Sequence, residues 1–203
     1  MCVNHSGAEI GQGMNTKVAQ AVAYGLGVPI DIIRITCNTT DSIANAGCTG
    51  GSGMYCIHGV IHFGNRMHSL MNAMIGGSEV TVQAALNACT EMNARLEPYK
   101  KAGKSWADMI ASIPCDVSLN AEGWFSPVEN PNGQPFQYFV YAACVTEVEL
   151  DVLSGNMHIL ASEIVYDCGK SLNPAVDIGQ IEGGLIMGLG YFLTEKMEYG
   201  EDG

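Results

Sequence analysis

Residues 138–167 read YFVYAACVTEVELDVLSGNMHILASEIVYD, and this stretch decides the fold class. At its centre, Leu153-Ser154-Gly155-Asn156 is a turn signal, because Gly tolerates left-handed backbone and Ser and Asn bond their own main chain. Apolar positions alternate on both flanks, Val148 and Leu150 before the turn and Ile159 and Ile164 after it. Alternation with period two on each side of a turn predicts an antiparallel hairpin, with strands over 138–151 and 157–167.

The pattern changes period beyond the hairpin. Residues 174–193 begin at Pro174 and place Ile178, Ile181, Leu185, Ile186 and Leu189 on one face, which predicts a helix. Gly183, Gly184, Gly188 and Gly190 lie inside it, at a cost of about 1 kcal/mol each relative to Ala. That cost is tolerable only where something packs very close. On the N-terminal side, residues 126–137 carry three Pro, two Asn and a Gly and read as a surface loop. Residues 115–125 alternate only in part.

Three more helices and one strand precede this. A short helix over 105–113 is stopped by Pro114. A longer one over 78–99 has Ser78 as its N-cap, Val80, Ala84, Leu86, Cys89, Met92 and Leu96 as apolar positions, and Pro98 near its end. Val18, Val22 and Leu26 at four-residue spacing predict a helix over 14–27, ended by Gly27-Val28-Pro29. The β-branched run Ile32, Ile33 and Ile35 predicts a buried strand over 31–37, and residues 38–53, rich in Thr, Ser, Asn, Ala and Gly, read as a loop. Mixed helices and antiparallel hairpin strands in this order predict an α+β fold rather than a wound parallel sheet. No internal repeat is present.

Composition narrows the function classes. With 47% hydrophobic residues the 203-residue chain has enough apolar surface for one domain or two small ones. The charged fraction is 15%, below the roughly one-quarter usual in soluble domains, which points to buried interdomain surfaces. Nine Lys plus Arg against 21 Asp plus Glu give a net charge of -12, which repels phosphate backbones and anionic lipid headgroups. Nucleic acid and membrane surfaces are thereby disfavoured as partners. No stretch approaches the roughly 20 apolar residues of a membrane span, and residues 1–10 lack a signal-peptide pattern. The eight Cys contain no CxxC pair and read as reduced thiols. A soluble, cytoplasmic chain is expected.

Three clusters have residues suited to holding a ligand. The turn Glu9-Ile10-Gly11-Gln12-Gly13 stands immediately before the first helix, so its amides and the Gln12 side chain can meet an anion at a helix N-terminus. A tight turn that uses Gly only for its backbone freedom explains the same residues. Thr49-Gly50-Gly51-Ser52 offers amides and a hydroxyl to a phosphate or oxo group, or is a plain loop. In residues 173–184, Asp177, Gln180 and Glu182 occupy the first turns of a helix. The Gln180 amide donates and accepts at once, which suits a pterin edge, whereas Asp177 and Glu182 also serve as complements to the helix dipole. Cys56, His58, His62 and His68 have partial zinc-ligand spacing, but no second ligand pair follows and the surrounding glycines disfavour a rigid helix, so a solvent-facing or disordered insertion is preferred to a metal site. No Gly-x-Ser-x-Gly elbow supports a hydrolase.

Together these motifs resemble the second part of the molybdenum-binding domain of the xanthine dehydrogenase and aldehyde oxidase family. The matches are residues 5–13 (HSGAEIGQG) with Thr16-Lys17, then Leu96-Glu97-Pro98-Tyr99, then residues 171–183 (SLNPAVDIGQIEG) with Gly188-Leu189-Gly190. The last is the most specific. The resemblance implies that Gly11, Gln12, Gly51, Ser52 and Gln180 surround a molybdenum-molybdopterin cofactor. It further implies hydroxylation of a purine or aldehyde carbon with oxygen from water, electrons leaving through 2Fe-2S clusters and FAD that this chain does not bind, and a homodimeric parent enzyme.

Two departures bear on activity. The family's catalytic Glu lies in a Gly-Glu-Pro-Pro motif, and the 203 residues contain none; no catalytic residue is therefore assigned, and the chain alone is expected to be inactive. Residues 53–77 stand where the family has only a couple of residues. The expected organisation is residues 1–52 as a first part of the molybdopterin-binding domain, 53–77 as an insertion or gene-model artefact, and 78–203 as the continuation. A competing reading, from another class, is a non-catalytic acidic interaction module that binds no pterin.

Overall fold

The structure, a computed structural model, describes residues 1–36, 39, 78–100, 103–125 and 139–203. The 53–77 block, the Gly51-Ser52 loop, the Cys56, His58, His62 and His68 group and the 126–137 loop therefore lie outside the described residues. The chain forms two compact units, Met1–Gln137 and Tyr138–Gly203.

The first unit is built on two helices, α1 (Met14–Leu26) and α2 (Ser78–Leu96). Their packing follows from spacing. Met14, Val18, Val22 and Leu26 form a buried stripe on α1, and Ala85, Ala88, Cys89, Met92 and Leu96 form the facing stripe on α2. Small residues set the separation, because a Cβ added at Gly25 would stand 2.9 Å from Cys89 Cβ and 3.1 Å from its Sγ. Asn93 Nδ2 donates to the Gly25 carbonyl at 2.6 Å and ties α2 to the end of α1. That end is closed by Gly27 at φ 68, whose N–H donates to Tyr24 O, while Val28 N–H reaches back to Ala23 O, satisfying carbonyls that the last turn leaves without helical partners.

Around this pair the chain adds short elements. Strand β1 (Cys2–Val3) pairs in parallel with β2 (Arg34–Ile35). The strand expected over 31–37, whose last residue lies outside the described residues, is shorter than its β-branched character suggests: Ile30–Ile32 is a 3-10 turn, and the ladder is only as long as its two-residue partner β1. The helix expected over 78–99 is α2 followed by a 3-10 turn at Glu97–Tyr99, and Ser78 is its first helical residue rather than a residue preceding it. Helix α3 (Trp106–Ala111) is capped by Ser105, which accepts from Asp108 N–H at 3.2 Å. Residues 118–124 are strapped along α2: Arg95 donates to the Ser118 and Asn120 carbonyls, and Asn87 Nδ2 donates to Trp124 O at 2.8 Å.

The second unit holds the hairpin, β3 (Tyr141–Leu150) and β4 (Met157–Asp167), and helix α4 (Pro174–Leu193). The hairpin confirms the reading of its turn. Gly155 takes φ 76, its N–H donates to Asp151 O at 2.7 Å, and the Asp151 carboxylate accepts from Leu153 N–H and Ser154 Oγ. The register pairs Cys144 with Ile164 and Leu150 with Met157, with an irregularity at Glu147/Val148 that pairs Val148 with Ile159. This bulge keeps Val148, Leu150, Met157 and Ile159 on the face of Ile164 and turns Glu149 and His158 to the face of Glu163.

Helix α4 is capped by Asn173, whose side chain accepts from Val176 N–H, with Pro174 at the first helical position. None of its residues is buried. Among the described residues a Cβ at Gly183, Gly184 or Gly188 would touch nothing within 4 Å, and one at Gly190 meets Glu195 and Thr194. Helices and a hairpin in this arrangement make the chain α+β. No helix of the described residues is long and apolar enough to cross a membrane.

Candidate functional site

The best-formed candidate is the turn that enters α1. Gly11 and Gly13 take φ 108 and φ 68, values that a residue with a Cβ adopts only under strain. Glu9 folds over this turn. Its Oε1 accepts from Gly13 N–H at 2.8 Å and Gly11 N–H at 3.2 Å, and its Oε2 accepts from Asn15 N–H at 3.1 Å. These are donors at the positive end of α1 that the helix leaves unused. Desolvation pushes the Glu9 carboxyl up, but the main-chain donors at Asn15, Gly13, Gly11 and Met14 outweigh it and hold the group below its ordinary 4.5.

Gln12 closes the other side of the turn. Its Oε1 accepts from Ile10 N–H at 2.7 Å and its Nε2 donates to Ala8 O at 2.8 Å. Both partners are main-chain groups of one polarity, so they fix which end of the amide is which. One Nε2–H and one Oε1 lone pair stay available for a ligand. Among the described residues a Cβ at Gly11 would meet nothing within 4 Å, while its N–H is held by Glu9 Oε1.

Behind the turn lies a buried polar seam. His5 is 1% exposed, and its Nε2 stands 2.8 Å from Asn15 Oδ1. Burial drives its pKa below the usual 6.5, against the opposing pulls of Asn15, Glu9 and the Gly7 main chain, so the ring is neutral at pH 7. His5, Asn15 and Glu9 thus form one chain of contacts from the end of β1 to the head of α1. Two buried oxygens, Asn4 Oδ1 and Thr81 Oγ1, have no hydrogen-bond partner among the described residues, and the second lies beside Gly7, 3.2 Å from where a Cβ would stand.

Of the residues singled out from sequence, Gly11 and Gln12 sit together on this turn. Gln180 is exposed in the second turn of α4, in the other unit. Gly51 and Ser52 lie outside the described residues. Asp177 has a local role, accepting from Ser171 Oγ in the first turn of α4. Sequence reasoning placed Glu9 in the turn without its role; an acid four residues before the glycine that opens a helix is the signal that points to it. His5 and Asn15 carried no comparable signal. Among the described residues no group of three or more His, Cys, Asp or Glu is placed to hold a metal ion.

These features bear on whether a pterin fits. A flat ring that accepts and donates hydrogen bonds fits the spare Gln12 amide capacity. A second anion at the head of α1 does not fit, because the Glu9 carboxylate already holds those amides.

Comparison with known proteins places the turn within a family. A family model for the molybdopterin cofactor-binding domain matches residues 1–60 and 76–203. The chain is 36% identical to a xanthine dehydrogenase of Drosophila pseudoobscura pseudoobscura over 211 residues, covering 99% of the chain and 14% of the relative. It is 36% identical to a xanthine dehydrogenase of Oryza sativa subsp. japonica over 209 residues, 98% and 14%, and 34% identical to aldehyde oxidase 1 of Cavia porcellus over 212 residues, 99% and 14%. The chain therefore spans about one-seventh of the length of these relatives. Matched along nearly its whole length and with the Gly-Gln-Gly turn at the head of α1, the chain belongs to the molybdopterin cofactor-binding domain family of the xanthine dehydrogenases and aldehyde oxidases, whose cofactor is molybdenum-molybdopterin.

Proposed function

We propose that this chain forms part of a molybdenum-dependent hydroxylase that oxidises a purine or an aldehyde with water as the oxygen source. The observation that carries the reading is the preformed turn at Gly11-Gln12-Gly13, braced by Glu9 and with hydrogen-bonding capacity left on Gln12. When bound, molybdenum-molybdopterin supplies the oxygen-transfer and electron-accepting chemistry. The chain's share is to bind and orient it. Gly11 shapes the turn beside the ring, Gln12 donates its second Nε2–H, and Gly51, Ser52 and Gln180 supply further hydrogen bonds from two other segments.

The neutral ring of His5 and the internal bonds of Gln12 keep the turn from rearranging when the ligand arrives, so little ordering entropy is lost on binding. No residue of the chain is assigned to proton transfer at the substrate carbon, and the chain alone is inactive in this reading. FAD and 2Fe-2S clusters act elsewhere in the complete enzyme, which is a cytoplasmic homodimer. Residues 53–77 are an insertion or a gene-model artefact; the interruption of the family match at 61–75 falls inside that block.

The test is molybdenum and pterin analysis of two purified proteins from a host that makes the cofactor, the 203-residue chain and the longest polypeptide its gene encodes. Molybdenum and pterin near one per polypeptide in the longer protein, and little in the short one, support the proposal. A longer protein that folds but carries neither is the outcome expected of a non-catalytic acidic module.

A further inference from the structure

We propose that Glu9 is a positioning residue: by closing on the Gly11, Gly13 and Asn15 amides, its carboxylate sets the conformation in which the turn meets the pterin and keeps the head of α1 from taking the cofactor's phosphate. The proposal rests on the reading that this turn faces the cofactor. Its geometry stands on the chain alone.

Glu9 is exposed, so packing does not force its side chain into place; three main-chain hydrogen bonds of 2.8, 3.1 and 3.2 Å do. They reach across the two left-handed glycines, which are the least restrained part of the turn. Gln12 braces the same turn from the other side, through Ala8 and Ile10. With both braces set, the turn and the spare Gln12 N–H have one orientation. A phosphate arriving at the head of α1 would meet a carboxylate on the amides that it needs, and like charges in one helical turn repel. A phosphate is therefore disfavoured on the Gly11, Gly13 and Asn15 amides.

The test uses the 203-residue chain with Glu9→Ala and Glu9→Gln. Amide hydrogen exchange at Gly13 and Asn15 is expected to quicken about tenfold in Glu9→Ala, with amides beyond the second turn of α1 unchanged, and added acetate should restore protection by replacing the lost carboxylate. Inorganic phosphate should shift the Gly13 and Asn15 amide signals in Glu9→Ala and leave them unmoved in the parent chain. Should Glu9→Ala fail to fold, the near-isosteric Glu9→Gln makes the same comparison. Unchanged exchange in a folded variant, or no response to acetate, overturns the proposal.

A second arm separates this proposal from the one on which it rests. Pterin is measured as its oxidised fluorescent product in the longest polypeptide the gene encodes, with and without Glu9→Gln. Parent protein with pterin and variant with at least about tenfold less supports Glu9 as positioning residue, and equal pterin in both overturns it. Parent protein without pterin sinks the cofactor reading itself, and the positioning proposal falls with it even where the exchange data succeed.

Discussion

Replacing Gly123 by Ala tests the packing that holds the first unit together. Gly123 lies against α2, and a Cβ there would stand 2.1 Å from Ala84 O, 2.5 Å from Ala88 N and 2.9 Å from Ala88 Cβ. Two of those three atoms are helix main chain and the third is a methyl without rotamers, so nothing nearby swings away. The strand of chain must lift instead. Forcing an extra methyl into such a contact costs about 1–3 kcal/mol, and lifting the segment also breaks the Asn87 to Trp124 hydrogen bond, worth about 1 kcal/mol. The expected loss is about 3 kcal/mol. Divided by a urea dependence of about 2 kcal/mol/M, it moves the unfolding midpoint down by about 1.5 M. Trp106 and Trp124 both lie in this unit, so tryptophan fluorescence reports on it without interference from the other. Gly103→Ala is the control: φ is 83 there with nothing within 4 Å, so only the backbone cost of about 1 kcal/mol applies. A Gly123→Ala midpoint within 0.5 M of the parent would show that residues 118–124 are not pressed on α2 as described.

Acid should weaken the first unit in two stages. His5 is held below its ordinary 6.5 by burial, so the unfolded chain takes up the proton first; its contribution is complete above about pH 6.5 and is lost as pH falls through the lowered folded value. Glu9, held below 4.5 by main-chain donors, contributes above that pH and is lost as pH falls through its own lowered value. Urea midpoints measured across pH 7 to 3 check both, and stability that rises between pH 7 and 5 would contradict the His5 stage. Thiol labelling should separate the cysteines: Cys89 is buried with its thiol pushed up to about 11, whereas Cys2, Cys115, Cys144 and Cys168 are exposed. Modification of Cys89 as fast as Cys144 would mean that α1 and α2 are not packed together. The second unit leaves Ile178, Ile186, Met187, Tyr191 and Phe192 exposed on α4, an apolar surface of the kind that binds hydrophobic dyes. Strong dye fluorescence from the purified 203-residue chain is expected, reduced by Ile186→Asp with Phe192→Asp. Dye fluorescence left unchanged by this double substitution would refute the assignment of the surface.

Elements with a sustained period were legible before any coordinates. The hairpin followed from alternation around Leu153-Ser154-Gly155-Asn156, and α1, α2 and α4 followed from apolar residues at helical spacing, since both periods are local properties of the chain. What failed was set by distant partners. The β1 and β2 ladder joins residues more than thirty apart and is two residues long, too short for any period, and so Ile30–Ile32 turned where a β-branched run suggested a strand. Gly123 carries no signal in its neighbours because its constraint comes from α2. In the site, Gly11 and Gln12 were visible from glycine spacing, but the capture of the head of α1 by Glu9 depends on which rotamer meets which amide. The glycines of α4 mark the limit of local reading: their composition suggests a close neighbour, and the described residues provide one only at Gly190.

The most direct test of the molybdopterin assignment is a structure of the cofactor-loaded protein, determined on the longest polypeptide the gene encodes. The account predicts one pterin with Gln12, Ser52 and Gln180 all within hydrogen-bonding distance, about 3.5 Å or less, and with its phosphate away from Glu9. A pterin that touches none of these three side chains, or whose phosphate sits on the Gly13 and Asn15 amides, would contradict it.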